Sequence, residues 1–452
     1  MTQQYSLLPH QIADAAFLAA RKFAGNFSGM GSGKTLTALE AMRLVAVADG
    51  NKFDSRAHVI IAPPIAIRMW IQVAAEYLNV SAQHLKTGKT KVDPAAVVYV
   101  MSYEIATKRR DELVALAPRV LICDESHSLK NVKAKRTKAI LGRGGITSAA
   151  DFSWMLTGTP QTRWNDDLFP FLVRADSKAL QARIGKVSME HFQLRYTVRQ
   201  KRQFPGARFP VQLVVGNRNT EELRDMMFDG GLAVRRELKD VWAQMPPLTS
   251  NRLFIRLDGS AELTQALRET ESMSMADISS GLRDPDSSLS SLRRQLGVAK
   301  VRESVKELVT RIEDGNGPIL VGAWHRDVID ALNYELGRAG VKVAVIDGRT
   351  SASARDRYTT EWNAGELDIL IGQISAMGVS LNLQAGGHHI VIVEEDWSPS
   401  VMDQFYARLF RIGQAHHVHV DTFVSDTKLD EAVGRISATK RVEHATVMAA
   451  GK

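Results

Sequence analysis

The sequence predicts an α/β fold of two parallel-sheet lobes in tandem with helical insertions, and three observations carry that expectation. Short β-branched apolar runs alternate with helical patterns up to about residue 160, and the same rhythm resumes near residue 318. From about 165 to 310 the pattern is mostly helical. The chain has 452 residues, more than one hydrophobic core holds, since single cores stop growing near about 250–300 residues.

The strand candidates of the first lobe are "HVIIAP" (58–63), "AVVYVMS" (96–102), "RVLICDES" (119–126) and "FSWMLTGTP" (152–160). Near-continuous apolar strands separated by helices indicate a parallel sheet covered on both faces. The middle region adds basic and polar loops such as "RQKRQFPGARFP" and the low-complexity "DISSGLRDPDSSLSS". The second lobe offers "PILVGAW" (318–324), "VKVAVIDG" (341–348), "LDILIGQI" (367–374), "HHIVIVEED" (388–396) and "HVHVDTFV" (417–424). The expected division is 1–245 and 246–452, around "MPPLTS", with insertions at about 165–245 and 257–312.

Composition narrows the class. Hydrophobic residues at 44% and charged residues at 24% are globular values that exclude a disordered or fibrous chain. Lys plus Arg number 58 against 50 Asp plus Glu, a net charge of +8 that suits a polyanionic partner. The single cysteine, Cys123, excludes intramolecular disulfides, points to a reducing compartment and reads as a small core residue. No apolar run of about 18 residues occurs, and "MTQQYSLLPHQ" is not a secretion signal. The expectation is a soluble intracellular protein with no membrane partner.

"SGMGSGKT" (28–35) precedes the amphipathic run "LTALEAMRLVAVA", where a loop turning into a helix belongs. Gly29, Gly31 and Gly33, with Ser32 between them, let backbone N–H groups surround phosphate oxygens at the positive end of a helix. Lys34 neutralises the β- and γ-phosphates and the Thr35 hydroxyl holds Mg²⁺. The generic pattern has glycine where this chain has Ser28. "VLICDESH" ends an apolar strand in two acids. Asp124 is assigned to the metal, and Glu125 to positioning and deprotonating the attacking water. The histidines of "HHVHV" (416–420) alternate along a strand and need no metal-ligand role.

The order of these motifs resembles the Swi/Snf-type ATPases, the double-stranded DNA translocases of helicase superfamily two. "GMGSGKT", "VIIAPPIAIRMWIQ", "DESHSLKN" and "LTGTP" look like its first-lobe motifs. "ILVGAWHRDVIDAL", "SAMGVSLNLQAGGHHIVIVEEDW" and "QFYARLFRIGQ" look like those of the second lobe. "LAVRRELKDVWAQMPPL" is similar to the arginine-pair segment that closes the first lobe. "LRRQLGVAKVRESVKEL" with "IDGRTSASARDR" looks closest to the compact subgroup containing the annealing helicases.

The resemblance implies two RecA-like lobes, a P-loop NTPase of the superfamily two helicase core, with ATP and Mg²⁺ as cofactors and duplex DNA as partner. It implies a DNA-dependent ATPase that remodels DNA, migrates branches or anneals strands as it translocates. The alternatives are a conventional strand-separating helicase, a motor subunit of a larger complex and a non-catalytic DNA-binding scaffold.

The resemblance also assigns residues. Gln11 in "YSLLPHQ" reads adenine, and Tyr5 either stacks on the base or anchors the terminus. DNA phosphates fall to the basic clusters "SLKNVKAKRTKA", "TKRRDE" and "RQKRQ", with Lys130, Asn131 and Lys133 singled out. In the second lobe Arg349, Thr350, Ser375 and Asn382 lie in DNA-contacting segments, and Trp397 packs. After Ser398 as helix cap and Pro399 in the first turn, Gln404, Arg408 and Arg411 are expected on one helix face, with Gly413 ending the helix. The two arginines serve hydrolysis as arginine fingers, supported by Gln404. The expected location is cytoplasmic, with the nucleoid or in a phage-infected host, and nuclear if the source is eukaryotic.

Overall fold

The computed structural model describes residues 5–48, 50, 56–162, 164–203, 209–242, 245–282, 287–377 and 381–448. The chain divides into two compact units, one of Met1–Val241 with Glu443–Lys452 and the other of Trp242–Val442.

Among its described residues unit 1 contains nine strands: β1 (Phe23–Asn26), β2 (His58–Ile61), β3 (Ala82–His84), β4 (Val98–Met101), β5 (Val120–Asp124), β6 (Phe152–Leu156), β7 (Thr197–Arg202), β8 (Val211–Asn217) and β9 (Ala233–Val234). Seven of them form one parallel sheet in the order β3-β4-β2-β5-β6-β1-β9. Every residue of β2 and β4 is buried, as a sheet covered on both faces requires. Three helices matter for the site: α1 (Pro9–Ala19), α2 (Lys34–Ala48) and α3 (Ile67–Leu78). Pro9 starts α1, where its missing N–H costs nothing, and α3 ends on Asn79 in the left-handed conformation, φ 54°.

The sheet order fixes the geography. The ends of parallel strands lie along one edge, and chain order departs from spatial order between β1 and β2, which β5 and β6 separate. Ligands of such sheets sit outside the carboxyl ends at that reversal. There the loops after β1, β6 and β5 are neighbours, and they carry "SGMGSGKT", "TGTP" and "DES".

Unit 2 adds β10 (Leu248–Phe254), β11 (Ile319–Ala323), β12 (Val343–Ile346), β13 (Ile369–Gln373), β14 (His389–Ile392) and β15 (Val418–Val424), all parallel in the order β10-β15-β14-β11-β13-β12. Alternate residues of β11 enter two different cores, Leu320 with Trp362, Met402 and Phe405, Ile319 and Val321 with Ile329, Leu332 and Leu336. Helices Ala261–Glu271, Met275–Leu282 and Ser288–Glu313 build a third apolar cluster with Leu429 and Val433. Trp397 joins that cluster under the Arg293 guanidinium, 4.6 Å from its ring centroid, so it packs within unit 2.

The region from 165 to 310 is less uniformly helical than its sequence pattern. It includes the antiparallel hairpin β7–β8 and two strands that join the main sheets, β9 in unit 1 and β10 in unit 2. The polar, charged alternation of "TVRQKR" and the brevity of "AV" leave no apolar period of two in sequence.

Candidate active site

Phosphate-loop geometry begins with β1, whose pairing with β9 continues beyond both strands. Gly25, Phe27 and Gly29 N–H groups donate to the carbonyls of Leu232, Val234 and Arg236 at 2.8–3.0 Å. The loop therefore leaves the sheet late, and the Gly29 N–H is committed to Arg236. Ser28 is buried, and its hydroxyl accepts from the Arg236 N–H at 3.1 Å. The serine that departs from the generic pattern is thus an acceptor that glycine lacks. Arg236 Nε reaches buried Asp14 on α1 at 3.0 Å, and burial raises the Asp14 pKa against the pull of that arginine.

Gly31 and Gly33 adopt φ of 76° and 81°, a region that side chains avoid. At Gly33 a Cβ would also lie 2.1 Å from the Gln11 amide nitrogen. Gln11 is buried, donates to the Gly33 carbonyl at 3.3 Å and accepts the Leu8 N–H at 2.8 Å. Sequence assigned it to a base; its amide here supports the loop. Tyr5 donates to Glu76 at 2.6 Å and meets Tyr77 edge-on, the anchoring arrangement.

Lys34 opens α2, and its ammonium donates to the Ser28 and Gly29 carbonyls at 2.8 and 3.0 Å. Thr35 follows in the first turn, whose N–H groups have no helical acceptor behind them. Ser32 Oγ is buried with no hydrogen-bond partner among the described residues. An orphaned hydroxyl beside a helix N-terminus and a lysine fits a phosphate chain.

Asp124 ends β5. Its Oδ2 accepts from the Trp70 indole at 2.8 Å and its Oδ1 from the Glu125 N–H at 3.0 Å. Burial first, then the Glu125 charge, raises its pKa to about 6, while Trp70 and the nearby Lys34 favour the ionised form. Glu125 sits in the left-handed region, φ 49° and ψ 49°, a strained conformation for a non-glycine residue. Its carboxylate meets His127 Nδ1 at 3.2 Å and accepts from Thr157 Oγ1 at 3.4 Å. Cys123 is buried core, and burial raises its thiol pKa. One carboxylate pair beside a phosphate loop is the donor set that Mg²⁺ uses with substrate oxygens. Among the described residues no cluster of three or more His, Cys, Asp or Glu is arranged to hold a metal by itself.

In unit 2 the expected single helix face is corrected. The helix Pro399–Tyr406 stops before both arginines, and Arg408 and Arg411 lie in successive turns. Gln414 holds these turns: it is buried, its amide nitrogen reaches the carbonyls of Leu409, Gln384 and Gly387 at 3.0–3.3 Å, and Gly413 turns the chain at φ 97°. Ser398 precedes the helix, but its hydroxyl pairs with Ser400 Oγ and makes no cap bond. The arginines still converge, both donating to the Leu381 carbonyl at 3.3–3.4 Å, and Arg408 Nε also reaches the Gln404 carbonyl at 2.9 Å. Burial lowers the Arg411 pKa. Two guanidinium groups that converge on one carbonyl oxygen are suited to an anion.

The expected DNA contacts differ in how far each side chain is already engaged. Lys130 is half-buried and donates to the Thr162 hydroxyl, while Asn131 and Lys133 are exposed, joined by a 2.9 Å bond from the Lys133 N–H to Asn131 Oδ1. Arg349 is held by Asp347 and Asp330, and the Thr350 hydroxyl is used inside the same turn. Ser375 and Asn382 are exposed, and residues 378–380 between them lie outside the described residues. Sequence reasoning missed Trp70, His127, Thr157 and Gln414. The family-like strings contain all four, but nothing local tells what each touches.

A family model described as SNF2-related domain matches residues 16–295, and one described as Helicase conserved C-terminal domain matches 300–413. The Xenopus tropicalis SWI/SNF-related matrix-associated actin-dependent regulator of chromatin subfamily A-like protein 1 is 25% identical over 369 residues, 81% of this chain and 37% of that protein. The Mus musculus DNA annealing helicase and endonuclease ZRANB3 is 25% identical over 417 residues, 89% of this chain and 37% of that protein. The chain thus spans less than half the length of the curated relatives it matches. Among solved structures, the Sulfolobus solfataricus SWI2/SNF2 ATPase core in complex with dsDNA aligns over 100% of this chain and 94% of that one, at 17% identity and a TM-score of 0.44.

Proposed function

Because the chain belongs to the SNF2-related family, we propose that it is a DNA-dependent ATPase that translocates on double-stranded DNA, remodelling it, migrating branches or annealing strands. The observation that carries this reading is the gathering of Lys34, Asp124 and Glu125 at the ends of β1 and β5, on either side of β6 in one parallel sheet. That trio is what phosphoryl transfer to water requires: a cation for the phosphates, a carboxylate for the metal and a carboxylate for the water.

In this reading ATP binds across Gly31, Ser32, Gly33 and Lys34, and Thr35 and Asp124 hold Mg²⁺. The metal, when bound, offsets charge on the phosphate oxygens. Glu125 takes the proton of the attacking water; His127 and Thr157 fix its carboxylate. Gln11 supports the loop through Gly33 and is its link to the base. Arg408 and Arg411 supply cations to hydrolysis, with Gln404 supporting Arg408 through its carbonyl. Asn131, Lys133, Ser375 and Asn382 contact phosphates directly, whereas Lys130, Arg349 and Thr350 do so only by exchanging a present partner. No helix of the described residues is long and apolar enough to cross a membrane. Such an enzyme works where DNA lies, in the cytoplasm of a bacterial or phage-infected cell or in a eukaryotic nucleus.

The test is hydrolysis by the full chain with and without duplex, single-stranded, forked and four-way DNA. Lys34→Ala and Glu125→Gln are each expected to abolish hydrolysis, and duplex DNA to stimulate the wild type more than single strands do. Near wild-type hydrolysis by either variant refutes the assignment, and stimulation by single strands alone indicates a strand-separating helicase.

A further inference from the structure

Hairpin β7–β8 takes no part in the nucleotide site, and its chemistry differs from the rest of unit 1. Between Thr197 and Thr220 the sequence holds Arg199, Lys201, Arg202, Arg208 and Arg218 and no Asp or Glu. Arg199 and Lys201 alternate along β7 and so share one face, opposite Val214 and Gln212. A register shift between Val198 and Arg199 marks a bulge, which re-aims the side chains that follow. Val198, Val211 and Val215 are each 44–45% exposed.

A two-stranded ribbon buries little and is marginally stable alone. An acid-free run of cations repels itself, and exposed valines on unpaired edges invite aggregation. A polyanion laid along the ribbon relieves the repulsion and gains counterion release. The major groove of duplex DNA admits a two-stranded ribbon of this size.

The root of the hairpin is bound to the catalytic loop. Asn165 is fully buried, and its amide nitrogen donates to the carbonyls of Tyr196 and Arg218, at 2.9 and 3.1 Å, one before β7 and one after β8. Its own N–H donates to Asn217 Oδ1 at 2.7 Å. Asn165 Oδ1 accepts from Gln161 Nε2 at 3.0 Å, and Gln161 is buried too. Gln161 belongs to the loop after β6, where Thr157 Oγ1 accepts the Thr159 N–H at 3.1 Å and donates to Glu125. Both legs of the ribbon thus hang from one side chain, itself tied to the loop that holds the catalytic carboxylate. Buried polar chains of this kind have few alternative arrangements, since each lost partner leaves a buried group unsatisfied.

We propose that hairpin β7–β8 is a duplex-DNA contact arm, and that the Gln161–Asn165 hydrogen bond transmits its engagement to the loop beside Glu125. The inference rests on the reading of the chain as a DNA-dependent ATPase. Arg199 and Lys201 bind phosphates; Gln161 and Asn165 are positioning residues.

The experiment uses the full chain and a fluorescent DNA duplex. Binding is measured across a salt series, and hydrolysis is titrated with the same duplex. The double variant Arg199→Gln/Lys201→Gln is expected to bind more weakly, with a log affinity against log salt slope shallower by about two. Gln161→Leu is expected to bind the duplex as the wild type does. Its half-saturating DNA concentration stays put, while its maximal DNA-stimulated rate falls at least about fivefold. Melting curves check folding, and Gln161→Glu, which keeps the size and removes the donor, replaces the leucine variant if that one unfolds. An unchanged affinity and salt slope in the double variant overturns the arm. A wild-type maximal rate in a folded Gln161 variant overturns the coupling. Wild-type hydrolysis indifferent to duplex DNA sinks the ATPase reading instead, and the salt slopes still decide whether the hairpin binds.

Discussion

Trp70→Phe removes a single donor from the proposed catalytic carboxylate while keeping an aromatic ring in the core. Trp70 is fully buried on α3 and donates to Asp124 Oδ2 at 2.8 Å, leaving Oδ1 to the Glu125 N–H at 3.0 Å. Tyr103 separately holds the Asp124 carbonyl at 2.6 Å, so the backbone stays fixed and the carboxylate alone is released. A hydrogen bond to a charged acceptor is worth about 1.5–3 kcal/mol. At about 1.4 kcal/mol per decade, kcat/KM is expected to fall roughly 10- to 100-fold. The Mg²⁺ concentration for half-maximal nucleotide binding should rise with it, because the rotating carboxylate is no longer aimed. The smaller ring also leaves a cavity costing about 1–2 kcal/mol, which lowers the melting midpoint without touching the Mg²⁺ dependence. Steady-state hydrolysis and fluorescent-nucleotide binding over a Mg²⁺ series, beside thermal melting, separate the two effects. If kcat/KM stays within about twofold of wild type at every Mg²⁺ concentration, Trp70 does not orient Asp124 and the reasoning is refuted.

Three further outcomes are expected. His58 is buried at the start of β2, and burial, then the charges of Arg119 and Arg56, lower its pKa from 6.5 to about 4. The unfolded chain therefore takes up the proton first, and stability present above pH 6.5 is lost as pH falls toward 4. The loss is about 1.4 kcal/mol by about pH 5.5 and about 3 kcal/mol in full. Urea denaturation at about pH 8 and about pH 5.5 should show it, and His58→Leu should flatten the difference; an equal drop in both proteins contradicts the assignment. Ser28→Gly restores the generic loop residue but removes the acceptor of the Arg236 N–H, so it should destabilise by about 1 kcal/mol, and a gain in stability would contradict the latch. Arg408→Ala and Arg411→Ala should keep nucleotide binding while DNA-stimulated hydrolysis drops about 10³-fold or more; full activity in both returns these arginines to a structural role.

The phosphate loop and the acid pair were legible in sequence because their chemistry demands residue types at fixed short spacings, and glycine at positive φ is such a demand. The preceding strand was not: "FAGN" is four residues with little β propensity, and β1 exists because β6 and β9 flank it. Gln404, Arg408 and Arg411 are spaced as on one helix, yet the helix stops at Tyr406. Gln414 binds three carbonyls of the turns and of the preceding loop, which local propensity does not contain. Arg349 carries the charge expected of a phosphate contact, but Asp330, nineteen positions earlier, already holds it.

Sequence by itself determined the fold class, the two-lobed rhythm, the phosphate loop and the carboxylates, since period, turn chemistry and composition act over a few residues. Tertiary structure alone decided which groups meet: Trp70 with Asp124 across 54 positions, Ser28 with Arg236 across 208, and Asn165 with both legs of a basic hairpin. Those partners are set by sheet order and burial, where a polar group must find whatever donor or acceptor the packed chain brings within about 3 Å.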